Sequence, residues 1–439
     1  MTIGSRAVTR PLMTTPLRNG RGAIAVINDW RRQSPPVRPW GTVNYAYPLG
    51  ECERVSVIPP VDLTEQFQTI QADVNAAVAE VLASGQYING PIVETFAQAF
   101  GDYVGTEHCI VCNSGTDALY LALRALNIGA GDEVITSPFT FIATAEAISA
   151  VGATPVFVDI DLDSFNLDVA KLEAAVGDRT RAIMPVHLFG RPVDLGPVMD
   201  LAARYDLAVI EDCAQATGAE WMGQQVGRIG HVGCFSFFPT KNLGGCGDGG
   251  AMTTNDPDLA ATARMLGEHG SRVRYHHEAI GINSRLDSIQ AAILAIKLRH
   301  LDTWNQRRSE VAERYHSLLA PVTEVVRPQD VTFGRSVWNQ YTLRLPQATA
   351  AGQERNQVQQ AMREAGVIPM VYYPVPLHLQ PVYRHLGYQP GDLPKAEMAA
   401  HQVLSLPMFP ELGADRQMQV VQTLKTALAQ VGLKAAQYC

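Results

Sequence analysis

Between His108 and Asp212 short β-rich runs alternate with helical patterns, and nothing else in the chain restricts its fold as strongly. Strands are predicted at Cys109–Cys112, Glu133–Thr136, Thr154–Val158, Arg181–Val186 and Leu207–Ile210, the last running into Glu211 and Asp212. Helices are predicted between them at Thr116–Leu126, Thr140–Val151, Asp168–Ala175 and Leu195–Tyr205. Alternation of this kind implies a parallel sheet covered by helices on both faces. Such sheets bind ligands beyond the carboxyl ends of their strands, so the residues just after each strand become the candidates for chemistry.

The flanks complete the outline. Thr64–Ser84 carries Phe67, Ile70, Val74, Val78, Val81 and Leu82 at helical spacing and stops at Gly85. Pro91 opens a second helix through about Tyr103. A helix-rich stretch, Pro257–Leu319, includes a strongly amphipathic segment at Arg285–Leu298. After Pro321 the pattern turns to strands, helices and many prolines, with a strand at Trp338–Leu345 and a helix at Gln353–Ala365. The expected division is a large α/β domain over 57–319 and a smaller α+β domain over 320–439. Residues 1–56 differ: before residue 50 there are seven arginines, no lysine and a single acid, Asp29. A disordered tail suits that composition, as does a transit peptide, and no chemistry is assigned to it.

Composition excludes some classes. A net charge of −8 argues against nucleic acid or an anionic membrane as partner, and no apolar run is long enough to span a bilayer. The seven scattered cysteines fit reduced thiols in a cytoplasmic protein rather than a disulfide framework. Cys109 and Cys112 form a C-x-x-C, but within what reads as a buried strand. The eleven histidines do not cluster at zinc-ligand spacing, and no metal is expected.

Phe235–Gly250 reads FSFFPTKNLGGCGDGG, with an aromatic run, one lysine (Lys241) and five glycines. A lysine between an aromatic strand and a glycine-rich loop is open to desolvation, which disfavours its ammonium. A lysine free as an amine can form a Schiff base; a surface lysine on a flexible loop is the plain alternative. Gly245, Gly247 and Gly250 match G-x-G-x-x-G literally, yet Ala251–Thr254 reads as a strand, not the helix a dinucleotide fingerprint requires.

Three other strand ends carry polar or aromatic signals. Asn113–Leu119 follows a strand and opens a helix, where amide groups with the Ser114 and Thr116 hydroxyls make an anion site, a phosphate or simply an N-cap. Asp212 is placed to face a ligand; beside a pyridine ring it would hold the ring nitrogen protonated. Ser137–Phe141 supplies aromatic faces for stacking or for core packing. A lysine, a strand-end carboxylate, a helix-start phosphate site and a stacking aromatic make up the inventory that pyridoxal 5′-phosphate (PLP) requires.

With those motifs quoted, the sequence resembles the DegT/DnrJ/EryC1/StrS family of sugar-nucleotide aminotransferases. The matching pieces are SGTDAL (114–119), GDEVIT (131–136), SPFTFIATA (137–145), PVHLFG (185–190), EDCAQATGA (211–219), SFFPTKNLGGCGDGG (236–250) and GINSRLDSIQAAIL (281–294), in that order from about residue 58 to the end. The resemblance implies a fold-type I PLP-dependent transferase, with a large mixed-sheet α/β domain and a smaller α+β C-terminal domain. By position, Lys241 occupies the place of the lysine that binds the cofactor covalently and later carries protons. Asp212 takes the pyridine-nitrogen partner's place, Phe141 the stacking aromatic's and Gln215 that of the contact to the ring 3-oxygen. Gly115, Thr116 and Ser236 are matched to the phosphate, and Asn283 to the phosphate of a neighbouring subunit's cofactor, implying a homodimer with shared sites. His187, Tyr373 and His378 fall where substrate contacts are expected.

The activity implied is transfer of an amino group, with glutamate as donor, to a keto-sugar nucleotide in amino-sugar biosynthesis for a surface polysaccharide or a glycosylated metabolite. KNLG…GDGG, with Asp248 where relatives that aminate C4 usually carry glutamate, resembles the branch that aminates C3. So do Arg274–His277 and Tyr373–Gln380, although Tyr372 stands where many relatives have histidine. Amination at C4, and a regulatory protein that binds PLP or a sugar nucleotide without turnover, are the alternatives.

Overall fold

A computed structural model describes residues 57–348 and 352–433. The expected N-terminal extension, 1–56, lies outside these residues, as do Cys52 and Cys439. The chain opens with α1 (Leu63–Ser84) and α2 (Pro91–Val104). Asp62 caps α1 by accepting from the Thr64 and Glu65 N–H groups, and Gly85 ends it at φ +68°, a left-handed conformation that costs glycine least. Pro91 sits in the first turn of α2, where its missing N–H would have had no helical acceptor.

The alternation follows as β1 (His108–Cys112), α3 (Gly115–Ala125), β2 (Glu133–Thr136), α4 (Ala143–Ala150), β3 (Thr154–Phe157), β4 (Thr180–Met184), α5 (Leu195–Tyr205) and β5 (Ala208–Asp212). Then come β6 (Val232–Ser236), β7 (Gly250–Thr254), α6 (Pro257–Gly267), α7 (Ser288–Leu298) and α8 (Leu301–Leu319). The helix expected at Asp168–Ala175 forms only two single 3₁₀ turns, Val169–Lys171 and Glu173–Ala175. A segment that short does not recover the cost of nucleating an α-helix, and of these residues Leu172 is the one driven into the core.

Seven strands form one sheet in the order β1-β7-β6-β5-β4-β2-β3. Pairings are parallel from β6 through β5, β4, β2 and β3, while β7 runs antiparallel to both β6 and β1. The sheet is therefore mixed, and fold-type I architecture is present. The carboxyl ends of β1, β2, β4, β5 and β6 share one edge. Apolar clusters fill both faces, one around Leu121, Val134 and Met252, another around Ile135, Ile183 and Val209.

The C-terminal part contains β8 (Tyr341–Arg344), α9 (Gln353–Glu364), α10 (Pro394–Gln402), β9 (Val403–Leu406) and α11 (Ala414–Val431), with β8 and β9 antiparallel. Its core takes Tyr341, Leu404 and Leu424, but also Val311, Tyr315 and Leu319 from α8 and Ile58 from the start of the described chain. Packing is thus continuous across residues 319 and 320, and the described residues form one compact unit. Among the described residues no helix is long and apolar enough to cross a membrane.

Candidate active site

The aromatic run before the lysine is built on a strand's two-residue period. Phe235 and Phe237 point into the core, where both rings meet the edge of Phe100 at 5.1 Å between centroids. Ser236 faces the other way, against the start of α3. A Cβ on Gly115 would come within 2.7 Å of Ser236 Cβ, so only glycine lets the helix start lie this close to the strand end. Ser114 caps α3 by accepting from Asp117 N–H at 3.0 Å. That leaves the first N–H groups of α3, at Gly115 and Thr116, without an intrahelical acceptor. The N-cap and the anion cradle are therefore the same feature.

Lys241 follows in a turn closed by its own N–H to the Phe238 carbonyl at 2.9 Å. It lies deep in the protein yet is still reached by solvent. Burial lowers its pKa to about 8, against the pull of Asp212, which favours the ammonium. At neutral pH roughly a tenth of such a lysine is free amine. Asp212 ends the neighbouring strand. Its Oδ2 accepts from Thr144 Oγ1 at 2.8 Å and its Oδ1 from Ala214 N–H at 3.1 Å. Burial raises its pKa, opposed by Thr144, Ala214, Lys241 and His187. Desolvation thus outweighs attraction on both members of the pair, and a cationic ring nitrogen offered to Asp212 would relieve it.

Phe141 is 56% exposed, unusual for a phenylalanine and suited to stacking, whereas Phe139 is fully buried. Gln215 Nε2 donates to Tyr373 Oη at 3.1 Å, while its Oε1 accepts from Phe189 N–H at 2.7 Å. Burial pushes the Tyr373 phenol up to about 12. Lys241, Asp212, Gln215 and Tyr373 are thereby linked to the strand-end site. Asn283 is exposed, as are Tyr275 at 79% and Ile280 at 85%.

One expected substrate contact, His187, is corrected, and a second, His378, is buried. His187 is fully buried and both ring nitrogens are taken: Nδ1 accepts from Val193 N–H at 3.0 Å and Nε2 donates to Glu211 Oε2 at 3.0 Å. The same carboxylate accepts from Gly227, Ile229 and Gly230 N–H groups. His187, Glu211 and Cys213 lie close enough to suggest a metal site, but Glu211 already serves four donors. These residues brace β5 beneath Asp212, and the Asp212 N–H and carbonyl bond Pro185 and His187. His378 is also buried, with Nε2 3.1 Å from Glu397 Oε1, so its ring faces the C-terminal part. Thr144, which holds Asp212, lies within the matched SPFTFIATA piece, but the sequence assigns it no role there; the fold brings its hydroxyl to the carboxylate. The C-x-x-C is buried, and burial pushes the Cys109 thiol up to about 12 and Cys112 higher, a setting that suppresses thiolate chemistry.

The model of the DegT/DnrJ/EryC1/StrS aminotransferase family matches residues 68–425. The chain belongs to that family. Among similar proteins, a "Pleiotropic regulatory protein" of Geobacillus stearothermophilus is 46% identical, over 84% of this chain and 97% of that one. The dTDP-3-amino-3,4,6-trideoxy-alpha-D-glucose transaminase of Streptomyces venezuelae is 44% identical, over 84% and 95%. The crystal structure of S. venezuelae DesV in complex with a ketimine intermediate superposes with a TM-score of 0.81 at 44% identity, covering 85% of this chain and 99% of that one. Aminotransferases of the DegT/DnrJ/EryC1/StrS family are PLP-dependent. The residues present fit that cofactor: an amine of lowered pKa, a buried carboxylate, an exposed ring and a glycine-floored helix start.

Proposed function

We propose that this aminotransferase moves an amino group from glutamate to C3 of a keto-sugar nucleotide. The observation that carries the reading is the desolvated Lys241–Asp212 pair at the ends of two adjacent parallel strands, since binding alone needs no amine held near pH 8. C3 is favoured by the GDGG loop, with Asp248 exposed to solvent, and by the name of the S. venezuelae relative.

When bound, PLP supplies an electron sink for the substrate carbon. The protein's own work is to place groups around it. Asp212 keeps a negative charge at the ring nitrogen, Phe141 covers a ring face, and Gly115, Thr116 and Ser236 hold the phosphate. Gln215 would contact the ring oxygen, and Tyr373, which accepts from Gln215, would contact the substrate. Lys241 Nζ takes and returns the migrating proton as general acid and base. Donor and acceptor use one site in turn, so the kinetics are ping-pong. Asn283 reaches the partner's cofactor phosphate in a homodimer, a reading supported by its exposure beside Tyr275 and Ile280. The similarity to a protein named as a regulator favours, as second reading, binding without turnover. Purified protein is offered 3-keto and 4-keto sugar nucleotides with glutamate, and NMR locates the new nitrogen. Nitrogen on C4, with 3-keto substrates untouched, rejects the C3 assignment; no turnover on any member of the panel supports the regulator.

A further inference from the structure

The turn that carries Lys241 is gripped from below by three buried asparagines. Asn242, next in sequence, is 4% exposed, Asn305 on α8 is 2% and Asn339, just before β8, is 3%. Their amides run head to tail. Asn339 Nδ2 donates to Asn242 Oδ1 at 2.8 Å. Asn242 Nδ2 donates to Asn305 Oδ1 at 2.7 Å and to the Val337 carbonyl at 2.8 Å. Asn305 Nδ2 donates to the Thr217 carbonyl at 3.1 Å.

Both ends of this chain return to the site. Thr217 lies two residues after Gln215. At the other end, Asn339 N–H donates to the Phe189 carbonyl at 2.9 Å, and Phe189 N–H donates to Gln215 Oε1, whose amide reaches Tyr373. A closed hydrogen-bonded circuit therefore ties the Lys241 turn to the segment following Asp212. Residues far apart in sequence supply the ties.

We infer that Asn242, Asn305 and Asn339 are positioning residues that set the depth of the Lys241 amine against Asp212. Asparagine suits the task because its amide can donate and accept at once: Asn242 and Asn305 each do both, while Asn339 donates from one end with its Oδ1 buried and unpartnered. Asparagine is also uncharged. A buried carboxylate in the chain would add to Asp212 and hold Lys241 as ammonium. None of the three touches the reacting atoms; they act through the backbone of residues 240–242, which Asn339 also approaches through the Thr240 carbonyl at 3.4 Å.

This inference rests on the role proposed for Lys241. The test uses the full chain, reversibly stripped of cofactor, and follows acylation of Lys241 against pH by peptide mass spectrometry. Wild type is expected to show a midpoint of about 8. In Asn242→Ser and Asn305→Ser the loosened turn admits water, and the midpoint rises by about one pH unit, a roughly tenfold loss of free amine at pH 7. In the reloaded enzymes kcat falls while KM for the sugar nucleotide holds. Should Asn242→Ser fail to fold, Asn339→Ser removes one donor to Asn242 and carries the same expectation. A midpoint unmoved in folded variants, with only the melting temperature lowered, overturns the inference. A wild-type midpoint near that of a free lysine would instead defeat the Lys241 reading itself.

Discussion

The Lys241 turn and the Ser271–Asn283 segment each carry part of a family motif but are built in opposite ways. The turn is buried and tied. Besides the asparagines, Lys297 Nζ donates to the Gly244 carbonyl at 2.7 Å and Gln290 Oε1 accepts from Cys246 N–H at 2.7 Å, both from α7. The Ser271–Asn283 segment carries a two-stranded hairpin and large apolar side chains turned outward, Val273, Tyr275 and Ile280. One region is finished within a single chain. The other turns these side chains to solvent, as the proposed shared site requires.

The sharpest way to break the comparison is Lys241→Ala. With proton transfer gone, turnover falls on the order of 10⁴-fold, measured with glutamate and the keto-sugar panel; retained turnover would move the chemistry elsewhere. Asp212→Asn comes next. The shape stays and the charge goes, and turnover drops about 10²- to 10³-fold, as for loss of one preorganised electrostatic partner. Because Asp212 favours the Lys241 ammonium, its removal also lowers the Lys241 midpoint below about 8 in cofactor-free protein; a midpoint that rises contradicts the sign.

For the exposed region, Asn283→Ala weakens cofactor retention about ten- to a hundredfold, the worth of one hydrogen bond to a charged group. Mixed with the Lys241→Ala chain, it regains about a quarter of wild-type activity, since random pairing makes half the dimers hybrid and each hybrid has one intact site. No recovery, or a fully active monomer in sedimentation, would end the shared-site reading. Gly115→Ala costs about 1–3 kcal/mol by overpacking against Ser236, seen in thermal melts, and weakens phosphate binding in cofactor titrations. Deleting residues 1–56 has the smallest expected effect, unchanged turnover, since the family match begins at residue 68.

Much of this was legible before the coordinates. Period-two alternation and strand-end motifs located Lys241 and Asp212 because both signals are local. The pair Glu211-Asp212 shows the limit. Neighbours on a strand face opposite ways, and the motif singles out Asp212, but sequence alone does not show that Glu211 accepts four hydrogen bonds beneath the sheet. His187 was misread for the same reason: a motif fixes where a residue sits in the chain, and packing decides where its ring nitrogens go. The asparagine circuit was invisible because its members are scattered over almost the whole distance from the lysine turn to β8.

The single reversed strand governs how freely such a site can be altered. Parallel neighbours require a long crossover, usually through a helix, whereas antiparallel neighbours are joined directly. β6 and β7 are antiparallel, so the Lys241 turn and its glycine loop join them directly, with no crossover helix between. At its solvent-exposed tip, Cys246 and Asp248, side chains can change without rerouting any helix. The loop tip can therefore vary while the lysine, its carboxylate and the sheet beneath them stay in register.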